Sequence, residues 1–267
     1  DGSIVNLTPA RSIQVQNDLG ADIIMCFDEC PESTAPIEVQ LRAVERTLKW
    51  AKLSKEAHAR ASEQSLFGII QGGLNIELRL KCAEKLIELD LPGYAVGGLA
   101  VGEGHDEMLK VLDALVHQMP ADKPRYLMGV GYPQDLVESV ARGIDMFDCT
   151  LPTRNGRNAN AWTRNEGQIR LKNARFTRDD SPVDSTCDCV CCRQFSRGAI
   201  RHFFQADEML GPILLSLHNV RFYQRLMADI RAALAAGRFE EFRRTDPRAK
   251  LGAGTKRVTT HISAVTD

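Results

Sequence analysis

Hydrophobic and polar positions follow two alternating patterns along the chain up to residue 147. Short apolar runs, typical of buried parallel strands, alternate with longer stretches in which apolar residues recur every three or four positions, as in amphipathic helices. The predicted strands are 21–27, 66–70, 93–96, 125–130 and 144–147. Asn75 is placed to cap one of the helices between them. A long helical stretch is predicted from 197 to about 236.

Repeated strand–helix units predict an α/β fold with a parallel sheet, either a barrel or an open doubly wound sheet. No G-x-G-x-x-G follows the first strand, which gives a dinucleotide-binding fold little support. The carboxyl ends of parallel strands meet on one face, and in a (β/α)8 barrel that face carries the active site. The five strand ends here are polar or glycine-rich: Asp28-Glu29-Cys30, Gln71-Gly72-Gly73, Gly97-Gly98-Leu99, Gly129-Val130-Gly131 and Asp148-Cys149.

Two acids, Asp28 and Asp148, are candidates on this face. A carboxylate can attack an anomeric carbon, or it can accept hydrogen bonds from the edge of a purine-like ring. The residue types alone do not say which acid has which role, and either could instead cap a helix, just as the glycines could serve turns. Cys30 and Cys149 are weaker nucleophile candidates, since only His105 lies near a strand end.

Composition limits the classes of partner. The 267 residues are 43% hydrophobic and 26% charged, as in ordinary globular proteins, and 34 Lys and Arg against 35 Asp and Glu leave a net charge of −1. Nucleic-acid binding would therefore need a local basic face, and residues 151–164 provide one with Arg154, Arg157 and Arg164, beside Trp162, which we expect to be exposed. No apolar run is long enough for a membrane span, so no membrane partner is expected.

A cysteine cluster predicts a metal site in a reducing compartment. Cys187, Cys189 and Cys192 form C-x-C-x-x-C, and His218 on a predicted helix is the favoured fourth ligand. Cys191 could replace a neighbouring cysteine, and His202 could replace His218. Four protein ligands leave no open position, which indicates one structural zinc ion rather than a catalytic one, although redox pairs also use C-x-x-C.

Six further segments carry long, ordered motifs, and together they resemble the tRNA-guanine transglycosylase family, whose zinc site the cysteine pattern also matches. The sequence Gly98–Glu103 looks like the bacterial type. The resemblance extends to about Phe242. The segments are Phe27–Cys30 (FDEC), Phe67–Gly73 (FGIIQGG), Tyr94–Glu103 (YAVGGLAVGE), Arg125–Gly131 (RYLMGVG), Asp145–Cys149 (DMFDC) and Leu151–Asn158 (LPTRNGRN).

The resemblance implies a (β/α)8 TIM-type barrel with a zinc-binding subdomain. We expect barrel units and the exchange site in 1–175, the zinc subdomain and C-terminal helices in 176–245, and a loose tail in 246–267. The implied reaction exchanges guanine at the first anticodon position of tRNA for 7-aminomethyl-7-deazaguanine (preQ1), in queuosine biosynthesis. The implied protein is a cytoplasmic homodimer with tRNA, guanine and preQ1 as its partners.

Site residues carry over from the family motifs to matching positions. Asp148 matches the nucleophile that forms a covalent bond to the ribose. The base-binding positions are Asp28, Gln71, Gly98, Leu99, Glu103 and Met128. The expected tRNA contacts are Gly129, Val130, Gly131, Tyr132, Pro133, Gln134, Asp135, Thr153, Arg154, Asn155, Gly156 and Arg157.

One departure from the family concerns the start of the chain. The chain begins Asp1-Gly2-Ser3, and the D-S-G-G-F-Q segment that supplies the family's general acid/base and a stacking aromatic residue has no counterpart. We therefore expect the first barrel strands to be missing and the activity of a true fragment to be poor. The alternatives are a non-catalytic tRNA-binding barrel subunit or inactive fragment, and a retaining glycosidase with paired carboxylates.

Overall fold

A computed structural model describes residues 2, 4, 6–33, 35–99 and 102–252. The chain divides into two compact units, the first formed by 1–130 with 139–148 and the second by 131–138 with 149–267. This division falls earlier in the chain than the predicted boundary at residue 175. The reason is that α6 (Leu151–Arg157) packs along α9 (Leu210–Ala235), which draws the basic segment into the second unit.

The first unit contains a five-stranded parallel sheet whose strands follow one another in chain order. This is the order that successive strand–helix units of a barrel produce. Of the three inner strands, β2 (Ser65–Ile70) and β3 (Gly93–Val96) are almost completely buried, as expected of apolar runs covered on both faces. The strands are β1 (Ile23–Met25), β2 (Ser65–Ile70), β3 (Gly93–Val96), β4 (Arg125–Leu127) and β5 (Met146–Phe147).

Helices alternate with these strands, and their ends follow from local sequence. Asn75 begins α3 as predicted, because its Oδ1 accepts a hydrogen bond of 2.9 Å from the N–H of Leu78. Gly20 ends α1 in the left-handed conformation, with φ of 72°. The helices are α1 (Pro9–Leu19), α2 (Ile37–Ala57), α3 (Ile76–Ile87), α4 (His105–Leu115), with a 3-10 turn at Val116–Gln118, and α5 (Pro133–Ala141).

The second unit is built around the long helix α9. The stretch 197–236, predicted as one helix, is two helices, because Asp207 adopts a left-handed φ of 55° between α8 (Arg197–Gln205) and α9. Gly211 lets the two helices approach, since a Cβ there would lie 3.1 Å from Cβ of Phe203. The remaining elements are the antiparallel hairpin β6 (Asn160–Thr163) and β7 (Gly167–Arg170), a 3-10 turn (Ala174–Phe176), α7 (Val190–Gln194), α8 (Arg197–Gln205) and α10 (Phe239–Thr245).

Two local expectations about this unit need correction. Trp162 is buried rather than exposed, because its ring packs against Phe222 at a centroid distance of 6.2 Å. The predicted tail is ordered at its start, where a 3-10 turn (Pro247–Lys250) holds Arg248 against Asp246 and Asp229. Residues 253–267 of that tail lie outside the described residues.

None of the helices in the described ranges has both the length and the apolar character needed to cross a bilayer.

Candidate active site and metal centre

The loop after β1 carries Asp28, and the buried side of α2 holds this loop in place. The N–H of Phe27 donates to Oγ of Ser54 over 3.2 Å, and the N–H of Glu29 donates to Oγ1 of Thr47 over 3.0 Å. Both acceptors are fully buried. The inward face of α2 is therefore partly polar, because these hydroxyls satisfy backbone groups that the short strand β1 leaves unpaired.

Asp28 contacts Gln71, which lies directly after β2. Nε2 of Gln71 donates a hydrogen bond of 2.7 Å to Oδ2 of Asp28. Burial raises the pKa of the Asp28 carboxyl above its ordinary value of 3.8, and the bond from Gln71 partly offsets this effect. The carboxylate is thus a partly desolvated acceptor, which gains more from new hydrogen-bond donors than an exposed carboxylate does.

The paired glycines at the strand ends make room for protein side chains. A Cβ on Gly98 would lie 2.5 Å from Oε1 of Gln71, so the loops after β2 and β3 are in direct contact. A Cβ on Gly73 would lie 2.7 Å from Nε2 of Gln40, and one on Gly72 would lie 2.9 Å from Cγ of Arg79. These glycines therefore have a packing function in addition to any close approach of a ligand.

The two strand-end cysteines do not have the environment of nucleophiles. Burial raises the pKa of the Cys30 thiol, which favours its unreactive protonated form. Cys149 packs against Gly131, where a Cβ would lie 2.3 Å from its sulfur. The carboxylates remain the better candidates.

Asp148 lies exposed after β5, and two donors hold one of its oxygens. The hydroxyl of Tyr126 donates to Oδ1 over 2.6 Å, and the N–H of Gly129 donates to the same atom over 2.8 Å. Within the part of the chain that the structure describes, no residue donates to Oδ2. Burial and the adjacent Asp148 carboxylate both raise the pKa of Tyr126, so its hydroxyl stays protonated as a donor.

The other predicted base-binding residues also lie in the first unit. Leu99 is buried, whereas Gly98, Glu103 and Met128 are half-buried. The carbonyl of Gly98 accepts a hydrogen bond of 3.2 Å from Arg79. Asp28 and Asp148 follow the two outer strands, β1 and β5, of the sheet.

Two residues of this site were not found from the sequence. Tyr126 lies inside the motif Arg125–Gly131 (RYLMGVG), where a tyrosine in an apolar run is typical of a core residue. A charged residue such as Arg79 is expected on the polar, exposed face of α3, although its side chain is in fact fully buried. No pattern in the chain alone distinguishes a buried arginine from an exposed one.

The predicted metal ligands come together in the second unit. One ligand atom from each of Cys187, Cys189, Cys192 and His218 lies within 4.8 Å of the other three. Nδ1 of His218 is 3.2 Å from Sγ of Cys192 and 3.6 Å from Sγ of Cys189. Three thiolates and one imidazole can hold a metal ion and form a set that suits closed tetrahedral zinc.

The histidine of this cluster is oriented by its surroundings. Nε2 of His218 lies 2.8 Å from the carbonyl oxygen of Trp162, so Nε2 carries the proton and Nδ1 is free to bind metal. The neighbouring Asn219 accepts from the N–H of Trp162 over 3.0 Å and donates to the carbonyl of Asn160. These bonds fix β6 against α9 at the position that the histidine requires.

The alternative ligands lie outside the cluster. Cys191 is fully buried in an apolar core with residues such as Ile200 and Leu215. His202 is exposed on α8 and has its ring beside Phe203. Among the described residues, the cluster therefore consists of the favoured four.

The residues predicted to contact tRNA fall into an exposed and a buried group. Gly129, Thr153, Arg154 and Arg157 are exposed. Gly156 is buried, and a Cβ there would lie 2.6 Å from Oγ of Ser216, which gives it a packing role between α6 and α9. Half-buried members are Tyr132, Gln134, Asp135 and Asn155, and the remaining buried members are Val130, Gly131 and Pro133.

The described residues thus define an α/β protein that combines a parallel sheet bearing acids after its strands with a Cys3His cluster that could bind a metal ion. The family model described as "Queuine tRNA-ribosyltransferase" matches residues 1–249, and the chain belongs to this family.

Curated relatives with that same name agree with the family match. The chain is 52% identical to the protein of Symbiobacterium thermophilum over 244 residues, and 50% identical to those of Lysinibacillus sphaericus over 243 and Francisella tularensis subsp. novicida over 244. Each match covers 91% of this chain. The chain spans 61%, 64% and 66% of the length of these relatives, respectively.

Proposed function

We propose that this chain carries tRNA-guanine transglycosylase activity and replaces guanine at the first anticodon position of tRNA with preQ1, on the route to queuosine. The observation that carries the proposal is the fixed orientation of the Asp148 carboxylate, whose Oδ1 accepts hydrogen bonds from the hydroxyl of Tyr126 and the N–H of Gly129. One oxygen anchored by two donors orients the carboxylate and leaves Oδ2 for attack. Membership of the family favours exchange of a nucleobase over the glycosidase alternative.

The first half of the proposed reaction cleaves the bond between ribose and guanine. The target nucleotide is extruded so that its anomeric carbon reaches the carboxylate. Oδ2 of Asp148 forms a bond to C1′ while the C1′–N9 bond breaks, and its electron pair leaves with guanine, which takes up a proton. The positive charge that develops on the sugar in the transition state is stabilised by the carboxylate.

The second half reverses this chemistry with a new base. After guanine leaves, preQ1 enters the same site and loses the proton on N9. That nitrogen then forms a bond to C1′ while the bond from C1′ to Asp148 breaks, and the carboxylate is regenerated. Two successive displacements retain the configuration at C1′.

Base recognition is assigned to the group of residues around Asp28. The desolvated carboxylate accepts hydrogen bonds from the N–H groups on the edge of guanine or preQ1, and the amide of Gln71 supplies a further polar contact. Gly98 and Leu99 offer backbone groups. Glu103 orients the adjoining peptide, and Met128 covers the base.

The tRNA contact is assigned to the exposed basic residues of α6. Arg154 and Arg157 lie at the end of this helix and are exposed. Guanidinium groups bind phosphates through charge-assisted hydrogen bonds, which supply affinity on a protein whose net charge is only −1. Thr153 and Asn155 contribute polar contacts from the same helix.

The metal and the assembly complete the proposal. One zinc ion is held by Cys187, Cys189, Cys192 and His218, where it stabilises the fold of the second unit without taking part in the reaction. No disulfide joins any of the eight cysteines, which fits a reducing compartment such as the cytoplasm. The family resemblance further suggests a homodimer, which light scattering on the purified chain tests.

A labelled-base assay tests the proposed function. The chain is incubated with radiolabelled guanine and a tRNA bearing guanine at the first anticodon position, and label in the tRNA is measured over time. A matched tRNA with adenine at that position is the control. We expect incorporation into the first tRNA only. Tight tRNA binding without incorporation would instead support a non-catalytic tRNA-binding subunit.

The Asp28→Asn variant should weaken binding of the base and relax base choice. An amide presents a donor where two acceptor oxygens are needed, and hydrogen bonds to charged groups are worth about 1.5–3 kcal/mol, or roughly 10- to 150-fold in affinity. Calorimetric titration with guanine measures this change. Competition between guanine and preQ1 for incorporation measures the change in base choice.

The same variant gives a pH test with a defined sign. Burial raises the pKa of Asp28 in the folded protein above 3.8, so wild-type affinity for guanine should fall as the pH drops through that raised value, and the asparagine variant should lack this dependence. A raised pKa means that ionisation of Asp28 lowers stability at neutral pH, so Asp28→Asn should unfold no earlier than wild type at pH 7. The control is Asp22→Asn, an exposed acid before β1, which should leave affinity unchanged.

A further inference from the structure

Arg79 is a fully buried arginine on α3 whose guanidinium is bound by backbone carbonyls. Nε donates to the carbonyl of Gly73 over 2.6 Å, and Nη1 donates to that of Ile70 over 3.1 Å. Nη2 donates to the carbonyl of Gly98 over 3.2 Å. All three bonds go to backbone groups at the carboxyl ends of β2 and β3.

The cost of burying a charged guanidinium indicates that Arg79 does more than fill space. Desolvation lowers the pKa of Arg79 to about 10, so the group is still charged at neutral pH. Burying a charge is costly unless it is well hydrogen-bonded, and an apolar side chain of similar volume would fill the space without that cost. An arginine differs from a leucine or a methionine at this position because it can donate hydrogen bonds to these three carbonyls.

Arg79 joins the two loops that carry the base-recognition residues. Ile70 and Gly73 flank Gln71, and Gly98 belongs to the next loop. The guanidinium is a planar fork with a fixed geometry, so one rigid group contacts both loops, next to the backbone bond of 3.1 Å from the N–H of Gly97 to the carbonyl of Ile70. Gly72 makes this possible, because a Cβ there would lie 2.9 Å from Cγ of Arg79.

The bond to Gly98 also sets the direction of a peptide group. Carbonyl and N–H point in opposite directions in a trans peptide, and no cis peptide is present among the described residues. With the carbonyl of Gly98 directed at Arg79, the N–H of Leu99 is directed away from it. The donor of Leu99 is thereby held in one orientation.

We propose that Arg79 is a positioning residue for base recognition, which ties the loop of Gln71 to the loop of Gly98 and Leu99 and fixes the backbone donor of Leu99 for a purine-like base. This role rests on the proposed function, because it assigns the two loops to the base. Arg79 itself does not contact the base. It acts through the three carbonyls that it binds.

Arg125 offers a matched control in the same unit. Its guanidinium also donates to three backbone carbonyls, those of Met119 at 2.6 Å, Pro120 at 3.2 Å and Gly143 at 3.4 Å. These carbonyls precede β4 and β5, at the opposite ends of the strands from the proposed base site. Arg79→Met and Arg125→Met thus remove the same kind of interaction at the two ends of one sheet.

The test measures the dissociation constant of guanine, thermal stability and amide hydrogen exchange on the whole chain. We expect both variants to unfold earlier than wild type. Only Arg79→Met should raise the dissociation constant for guanine, by at least about tenfold, and only it should speed amide exchange in 71–73 and 97–99. Arg79→Lys keeps the charge without the planar fork and should give an intermediate dissociation constant.

Three results would overturn the role of Arg79. One is a folded Arg79→Met variant that binds guanine as wild type does. Another is an equal loss of affinity in Arg125→Met, which would show a general effect of stability. If Arg79→Met does not fold, an Arg79→Lys variant with wild-type affinity for guanine and wild-type amide exchange in the two loops would overturn the role instead. Failure of the proposed function looks different, because wild type would then bind no guanine and incorporate none.

Discussion

We expect Asp148→Asn to lower the rate of guanine exchange by on the order of 10⁴-fold or more, because an amide oxygen cannot form the covalent bond to the ribose. The fold should be retained. Oδ1 of the asparagine still accepts from Tyr126 and Gly129, and the side chain is exposed, so no buried group loses its partner. Initial rates of labelled guanine incorporation measure the loss, and thermal unfolding monitors the fold.

Asp145→Asn is the matched control for this variant. Asp145 is an exposed acid three positions earlier in the chain, and its Oδ2 accepts a hydrogen bond of 2.9 Å from the N–H of Arg125. An asparagine oxygen can accept the same bond, so exchange should remain close to the wild-type rate. Substantial activity in Asp148→Asn would contradict the assignment of the nucleophile.

Removal of the metal should have the second large effect, on stability rather than on chemistry alone. Structural zinc contributes about 10–16 kcal/mol of apparent binding free energy in small zinc domains, which is comparable to the entire stability of an ordinary domain, about 5–15 kcal/mol. We therefore expect His218→Ala, or chelation of the metal, to unfold α7 and the adjoining part of the second unit. Metal content by mass spectrometry and helical signal by circular dichroism measure the two effects.

His202→Ala separates metal binding from a general effect of losing a histidine. His202 is exposed on α8 and lies outside the cluster, so its removal should change stability by no more than about 0.5 kcal/mol and leave one metal ion bound. The structural role of the metal would be refuted by a metal-free protein that keeps its full helical content and melting temperature.

The strands were predictable because burial and sequence pattern agree there. β3 was expected at 93–96 and is found at Gly93–Val96, since a strand covered on both faces is a continuous apolar run. β4 and β5 are shorter than expected. Their predicted ends include Val130 and Ile144, which are buried outside the ladder and so look like strand residues in the sequence.

The buried faces of the helices were harder to predict, because polar side chains there respond to distant backbone groups. On α2 the apolar residue Leu41 is 44% exposed, whereas Thr47 and Ser54 point inward to hold the loop of Asp28. Arg79 is buried for the same reason. Such side chains bond to carbonyl and N–H groups that the strands place beside them, and local periodicity carries no information about that arrangement.

The site was predicted unevenly for a related reason. The three cysteine ligands are close in sequence, so their spacing alone indicated a metal site. The choice of His218 over His202 depended on which histidine the fold brings back to the cluster. The pairing of Asp28 with Gln71 likewise depends on the contact between neighbouring strand ends. The separate roles expected of Asp28 and Asp148 came from the family resemblance and not from the residue types.

Covalent capture of tRNA tests the central claim most directly. The chain is mixed with a tRNA that carries guanine at the first anticodon position, denatured and resolved, and the attachment site is located by mass spectrometry of the digested adduct. Asp148→Ala is treated in parallel. The account predicts a protein–RNA adduct on the peptide containing Asp148, which is absent from the variant. An adduct that persists in the variant or maps to another residue would contradict it.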